Sequence, residues 1–155
     1  MLATDVSPYR LDWATCSGAT AVFNGLEVGD ELPDVVRKAN DGNLADLVIL
    51  GTGAPSAIDQ AISCLDSGAT FVVFAVPAPG QDHPMPLNEL WRREVTIRTA
   101  YGAAPADLQM ALELIASGRV AVNDMITHRL PLERAQEGFA LVANAGESVK
   151  VIIEP

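Results

Sequence analysis

Positive charge is scarce in this chain. Ten lysines and arginines face 20 aspartates and glutamates, for a formal net charge of −10. Nucleic-acid binding needs a basic face and anionic membranes attract basic segments, so neither partner is expected. The two cysteines, Cys16 and Cys64, make no disulfide framework, and a reducing cytoplasm is the expected location. With His83 and His128 they are the whole supply of soft metal ligands, and none of the spacings resembles a zinc motif. No apolar run approaches the ~18 residues of a membrane span. Met1 to Arg10 holds Asp5 and a proline rather than a basic stretch followed by an apolar one, so no signal peptide is expected. Internal repeats, low-complexity segments and long linkers are also missing.

What is present is a core. The chain has 155 residues, 49% apolar and 19% charged, the profile of one folded domain. Leu2–Thr4 reads as a short strand ending at Asp5. Ser7 and Pro8 then read as a helix cap and first position, with Leu11, Ala14 and Thr15 on one face and Gly18 as the stop. Thr20–Phe23 is a second strand. Asp30–Ala39 is a second helix, acidic at its start and basic at its end, as the helix dipole favours. Asp46–Leu50 is apolar on both faces, like a central parallel strand. A helix over Pro55–Leu65 and a strand over Thr70–Val76 follow. Gln81–Leu90 reads mostly as loop and Glu94–Tyr101 as a strand. A helix from Pro105 closes at Gly118, with Leu108, Ala111, Leu112 and Ile115 inward. Met125–Thr127 is a short strand, Leu132, Ala135, Phe139 and Val142 mark a last helix, and Val149–Ile153 is a last strand. Strands alternating with helices predict a parallel sheet with right-handed crossovers.

In a doubly wound sheet, ligands bind beyond the carboxyl ends of the strands. Asp5 stands at such an end, where a carboxylate can accept two hydrogen bonds from a ribose diol. It can equally be a charge near the start of the first helix. Gly51-Thr52-Gly53 lies between a buried strand and a helix, where backbone can approach a flat ligand closely. It is not a full GxGxxG, since Ser56 holds the sixth position and no acid follows about 20 residues on. Plain turn chemistry explains it as well. His83 in a proline-rich loop and His128 beside Arg129 read as surface histidines. The acid pairs Glu31/Asp34 and Glu133/Glu137 read as solvated helix faces. No serine sits in a nucleophile elbow. The residues alone specify an α/β domain with a possible nucleotide site.

Longer strings carry more. ATDVSPYRLDWATCSGAT, DLVILGTGAPSAIDQAISCLDSGATFVVFAVPAPG and HRLPLERAQEGFALVANAGESVKVII occur in this order. They resemble the second strand and helix, the fourth and fifth strands, and the carboxyl-terminal segment of zinc-dependent medium-chain alcohol dehydrogenases. The polyol and threonine dehydrogenase branch is the most similar. The resemblance implies an α/β fold, a Rossmann-type doubly wound parallel sheet that is incomplete. It lacks its first strand and glycine-rich loop, and Met1 stands inside what would be the second strand. Residues 1–124 would be the truncated dinucleotide-binding domain, and 125–155 the segment that in the family returns to the catalytic domain.

The resemblance also implies roles. Asp5 would hold the adenosine ribose, with basic Arg10 beside it. Thr52 and Gly53 would line the adenine side. Ala75, Val76 and Tyr101 would lie along the nicotinamide side, and Lys150 near the pyrophosphate. The cofactor would be NAD, bound weakly or not at all without the glycine loop. Zinc belongs to the family, but no ligands for it are recognisable here. The function implied is the cofactor part of an NAD-dependent zinc alcohol or polyol dehydrogenase, inactive as this chain alone. The alternative is a non-catalytic α/β module for binding or oligomerisation. A methyltransferase-type domain also places an acid at its second strand end, but the segment around His128 and Lys150 disfavours it.

In the strand order 3-2-1-4-5-6, the missing strand belongs between Leu2–Thr4 and Asp46–Leu50. The gap is expected to be filled by Val149–Ile153, by a strand from a second copy, or by direct pairing of its two flanks. A homo-oligomer is the favoured expectation, since an uncovered apolar surface invites a partner.

Overall fold

The computed structural model describes residues 1–144 and 146–155. The chain runs β1 (Leu2–Asp5), α1 (Pro8–Cys16), β2 (Ala21–Asn24), α2 (Gly25–Val28), α3 (Leu32–Ala39), β3 (Ala45–Leu50), α4 (Pro55–Ser63) and β4 (Leu65–Val73). It continues with α5 (Leu87–Arg92), β5 (Thr96–Thr99), α6 (Pro105–Ala116), α7 (Val122–Met125), β6 (Ile126–Pro131), α8 (Ala135–Ala143) and β7 (Lys150–Glu154).

All strand pairs are parallel, as the alternation of elements predicts. They form three separate sheets: β1-β2, β3-β4-β5 and β6-β7. Among the described residues no strand lies between β1 and β3. Two of the expected closures do not occur: β7 pairs with β6, and β1 pairs with β2 alone. The first two sheets are joined by packing instead. Leu32 and Val36 of α3 and the buried Cys64 meet Leu2, Phe23 and Leu44. Gln60 of α4 donates from Nε2 to the carbonyls of Gly25 and Gly29, at 2.7 and 3.1 Å. Burial pushes the Cys64 thiol pKa up, partly offset by a hydrogen bond from Ser63 and by the charge of Arg37. Cys64 therefore behaves as a small core hydrophobe.

The main core sits on one face of β3-β4-β5. Leu50, Phe71 and Leu65 pack against Ile58 and Ile62 of α4 and Leu90 of α5. This face was legible in the apolar runs, but several boundaries move. The helix expected through Leu65 ends at Ser63, because Leu65 already pairs with Ala45. The strand expected over Thr70–Val76 starts earlier and stops at Val73. Its partner β3 ends at Leu50, whose carbonyl accepts from both Phe74 and Ala75 N–H, so the ladder cannot continue. Glu94–Tyr101 shortens to Thr96–Thr99, the stretch that faces Thr70–Val73, and Glu94 takes a positive φ of 54°. Asp30–Ala39 begins later, after a 3-10 turn at Gly29–Glu31. Three short helices, α2, α5 and α7, lie where no helix was expected.

The outer elements differ most from expectation. In α6, Leu108, Ala111, Leu112 and Ile115 point outward, and only Leu114 is partly covered. Phe139 and Val142 of the last helix are also exposed, as is Leu132, which lies in a 3-10 turn before that helix begins at Ala135. The last helix docks instead through Gly138. A Cβ there would stand 2.8 Å from Ile153 Cδ1 and 3.3 Å from Val151 Cγ1. The close approach that a glycine permits lets α8 lie flat on β6-β7. Met125–Thr127 grows to Ile126–Pro131 because β7 gives it a full partner.

Candidate functional site

The predicted site residues fall into three groups. Asp5 ends β1, and its Oδ1 accepts from the Ser7 N–H at 2.9 Å. Ser7 caps α1 by position, yet its hydroxyl makes no cap bond; the acid two residues earlier orders the turn. Arg10 lies on the first turn of α1, its Nη1 4.0 Å from Asp5 Oδ2. Its Nε points the other way, to the Ser148 carbonyl at 3.4 Å. Asp5 thus has one oxygen engaged by backbone and a second, half-exposed oxygen with accepting capacity left.

The second group gathers at the carboxyl ends of β3 and β4. Thr52 is exposed, and its hydroxyl accepts from the Ala54 N–H. Gly53 meets the chain itself: a Cβ there would stand 2.1 Å from the Val76 carbonyl oxygen. Ala75 is half-buried and Val76 exposed. The third group is dispersed. Tyr101 is fully exposed beyond β5, and Lys150 opens β7 in the separate sheet. Arg10, reaching Ser148, brings the Asp5 corner near the segment that leads into Lys150.

Sequence reasoning missed one constellation. His83 was read as a surface residue, but its side chain is largely covered, and Nε2 lies 2.9 Å from Asp59 Oδ1 of α4. It lines a cavity of about 370 Å³ walled by Leu50, Ile58, Phe71 and the loop from Ala75 to Met85. A carboxylate that orients an imidazole leaves its other ring nitrogen available. Two residues 24 positions apart give no local signal, so the sequence could not reveal this pairing. Among the described residues no three His, Cys, Asp or Glu side chains gather as a metal would require. No set of side chains among those residues fits zinc.

The parallel pairs of β1-β2 and β3-β4-β5, joined by helices, are those of a Rossmann-like α/β fold. The family model described as zinc-binding dehydrogenase matches residues 1–117. The chain belongs to the zinc-binding dehydrogenase family. This chain is 32% identical over 155 residues to a probable D-xylulose reductase A of Aspergillus clavatus. That match covers 99% of the chain and 42% of the relative. It is 31% identical over 159 residues to an L-threonine 3-dehydrogenase of Bacillus licheniformis, covering 100% of the chain and 44% of that protein. The alcohol dehydrogenase TADH of Thermus sp. ATN1 superposes with a TM-score of 0.82 at 29% identity. Here 99% of this chain matches 44% of that one. The chain therefore spans less than half the length of these relatives.

Proposed function

We propose that this chain is the cofactor-holding part of an NAD-dependent alcohol or polyol dehydrogenase, acting in the cytoplasm and inactive without further protein. The observation that supports it most is Asp5, an acid at the end of a parallel strand with one oxygen still able to accept hydrogen bonds. In such a sheet that carboxylate holds the ribose diol of NAD, while the cofactor carries the hydride. Thr52 and Gly53 then border the adenine, Ala75, Val76 and Tyr101 the nicotinamide side, and Lys150 approaches the pyrophosphate. Arg10 is a partner of the carboxylate and of Ser148, which holds Asp5 in orientation. The names of the relatives support the reading that the substrate of such a dehydrogenase is a small alcohol or polyol.

Removing the hydroxyl proton of an alcohol needs a Lewis acid or a base beside the hydride donor. The 155-residue protein is expected to give no NAD reduction with a panel of alcohols and polyols, zinc included; clear turnover by pure protein would refute inactivity. For binding, calorimetry should show NAD preferred to NADP, because Asp5 repels a 2′-phosphate and Val6 and Ser7 supply no cation. Affinity of these 155 residues alone should be weak, since they contain no G-x-G-x-x-G loop opening a helix toward the pyrophosphate. Asp5→Ala removes hydrogen bonds to a charged acceptor, each about 1.5–3 kcal/mol, so the remaining NAD binding should fall by roughly tenfold or more. NAD affinity unchanged in Asp5→Ala would remove the ribose assignment.

A further inference from the structure

A compact chain of 16.4 kDa exposes about 7,500 Å². This one exposes 10810 Å². The excess, about 3,300 Å², is larger than the roughly 800 Å² that each partner contributes to a standard interface. Two patches of the bare apolar surface are continuous.

The first is the face of β3-β4-β5 turned away from α4. The parallel register puts Leu47, Ile49, Thr70, Val72, Thr96 and Arg98 on that face. Leu47 and Ile49 are 55% and 65% exposed, and Phe74, which continues the face past β4, is 68% exposed. An inner strand of such a sheet is apolar on both sides because both sides are covered. β3 has the sequence of such a strand and one covered side.

The second is α6. Leu108, Leu112 and Ile115 recur at helical spacing with Ala111 and form an apolar stripe, and all are exposed. A stripe of this kind is the side by which a helix lies on a sheet. The helix carries two acids, Asp107 and Glu113, and no base, whereas the charge on the bare sheet face is Arg98.

We propose that the occupant of the bare sheet face is α6 of a second copy of this chain. The stripe of each α6 lies on the Leu47–Ile49–Val72–Phe74 surface of the other copy. A two-fold axis makes the contact twice, so both surfaces are covered in both copies. The hinge is Ala100–Ala104, an exposed five-residue connection with Gly102 at a φ of 69°. Charge favours the arrangement, since an acidic helix lands beside Arg98.

Light scattering of the 155-residue protein at micromolar concentration should give twice the chain mass. Leu108→Asp with Leu112→Asp should give the single mass with unchanged circular dichroism, because neither side chain is buried within its own chain. Arg98→Glu should weaken the dimer by roughly tenfold. Trapping decides where the helix lies. On a Cys16→Ser background, Ile49→Cys with Leu112→Cys should yield an interchain disulfide and a doubled band on a non-reducing gel. A monomeric wild type overturns the proposal. So does an intrachain disulfide, which would place α6 over its own sheet, and so does a dimer that survives both the Asp and the Glu variants.

Discussion

Gly53→Ala is expected to destabilise the fold sharply while Gly51→Ala, two residues away, does little. At Gly53 an added Cβ would meet Val76 O at 2.1 Å, Val76 C at 2.5 Å and Pro77 N at 2.8 Å. All three are backbone atoms, and none can rotate aside as a side-chain tip would. Either the turn after β3 or the loop after β4 must move by more than 1 Å, a forced overpacking that costs about 1–3 kcal/mol or more. At Gly51 nothing lies within 4 Å of the same methyl group. Urea unfolding of the two variants should therefore separate them clearly. Equal midpoints would show that the Val76–Gly53 contact is not maintained in solution.

Phe71→Ala should have the largest effect on stability. Phe71 lies at the middle of β4, paired with Val48 on one side and Ile97 on the other, and is buried in the main core. Truncating a buried phenylalanine costs about 3–5 kcal/mol, against a total stability of about 5–15 kcal/mol. For a chain of this length the melting temperature should fall by roughly 6–20 °C. Ile97→Ala offers the comparison, since Ile97 neighbours Phe71 but is largely exposed, and its loss should cost far less. A melt in which the two variants behave alike would mean that the core does not centre on β4.

The contrast between these residues explains what could be read ahead of the structure. Strand direction follows from the alternation of apolar runs with helices, and the runs Asp46–Leu50 and Thr70–Val76 hold the central strands, although only one face of β3 is covered and β4 stops at Val73. Periodicity says which side of a helix is apolar, not whether anything is there to cover it. The stripe of α6 was visible in the sequence, and its exposure was not. The stripe of the last helix was wrong for a different reason, because Gly138 docks through its lack of a side chain and a hydrophobicity pattern gives a glycine no weight. The place of Asp5 at the end of β1 was legible from the short apolar run before it; its role, a ribose ligand or a charge at the start of the first helix, was not. Its bond to Ser7 and its neighbour Arg10 were within local reach. The Arg10–Ser148 and His83–Asp59 contacts join residues 138 and 24 positions apart, and no sequence window contains them.

The bond from Arg10 to Ser148 also has a bearing on how the chain opens. Among the described residues it is the one hydrogen bond between sequence-distant residues that joins residues 1–124 to residues 125–155; the bond from the Ile126 N–H to the Asn123 carbonyl is local to the end of α7. Segments tied by so few hydrogen bonds should not lose their amide protection together. Hydrogen–deuterium exchange should show β6 and β7 opening as one group and β3 and β4 as another, more slowly exchanging group. Arg10→Met should widen that difference by freeing the first group alone. Arg10 would then report events at the Asp5 corner, including occupancy by a ligand, as a change in the exchange of amides in β7.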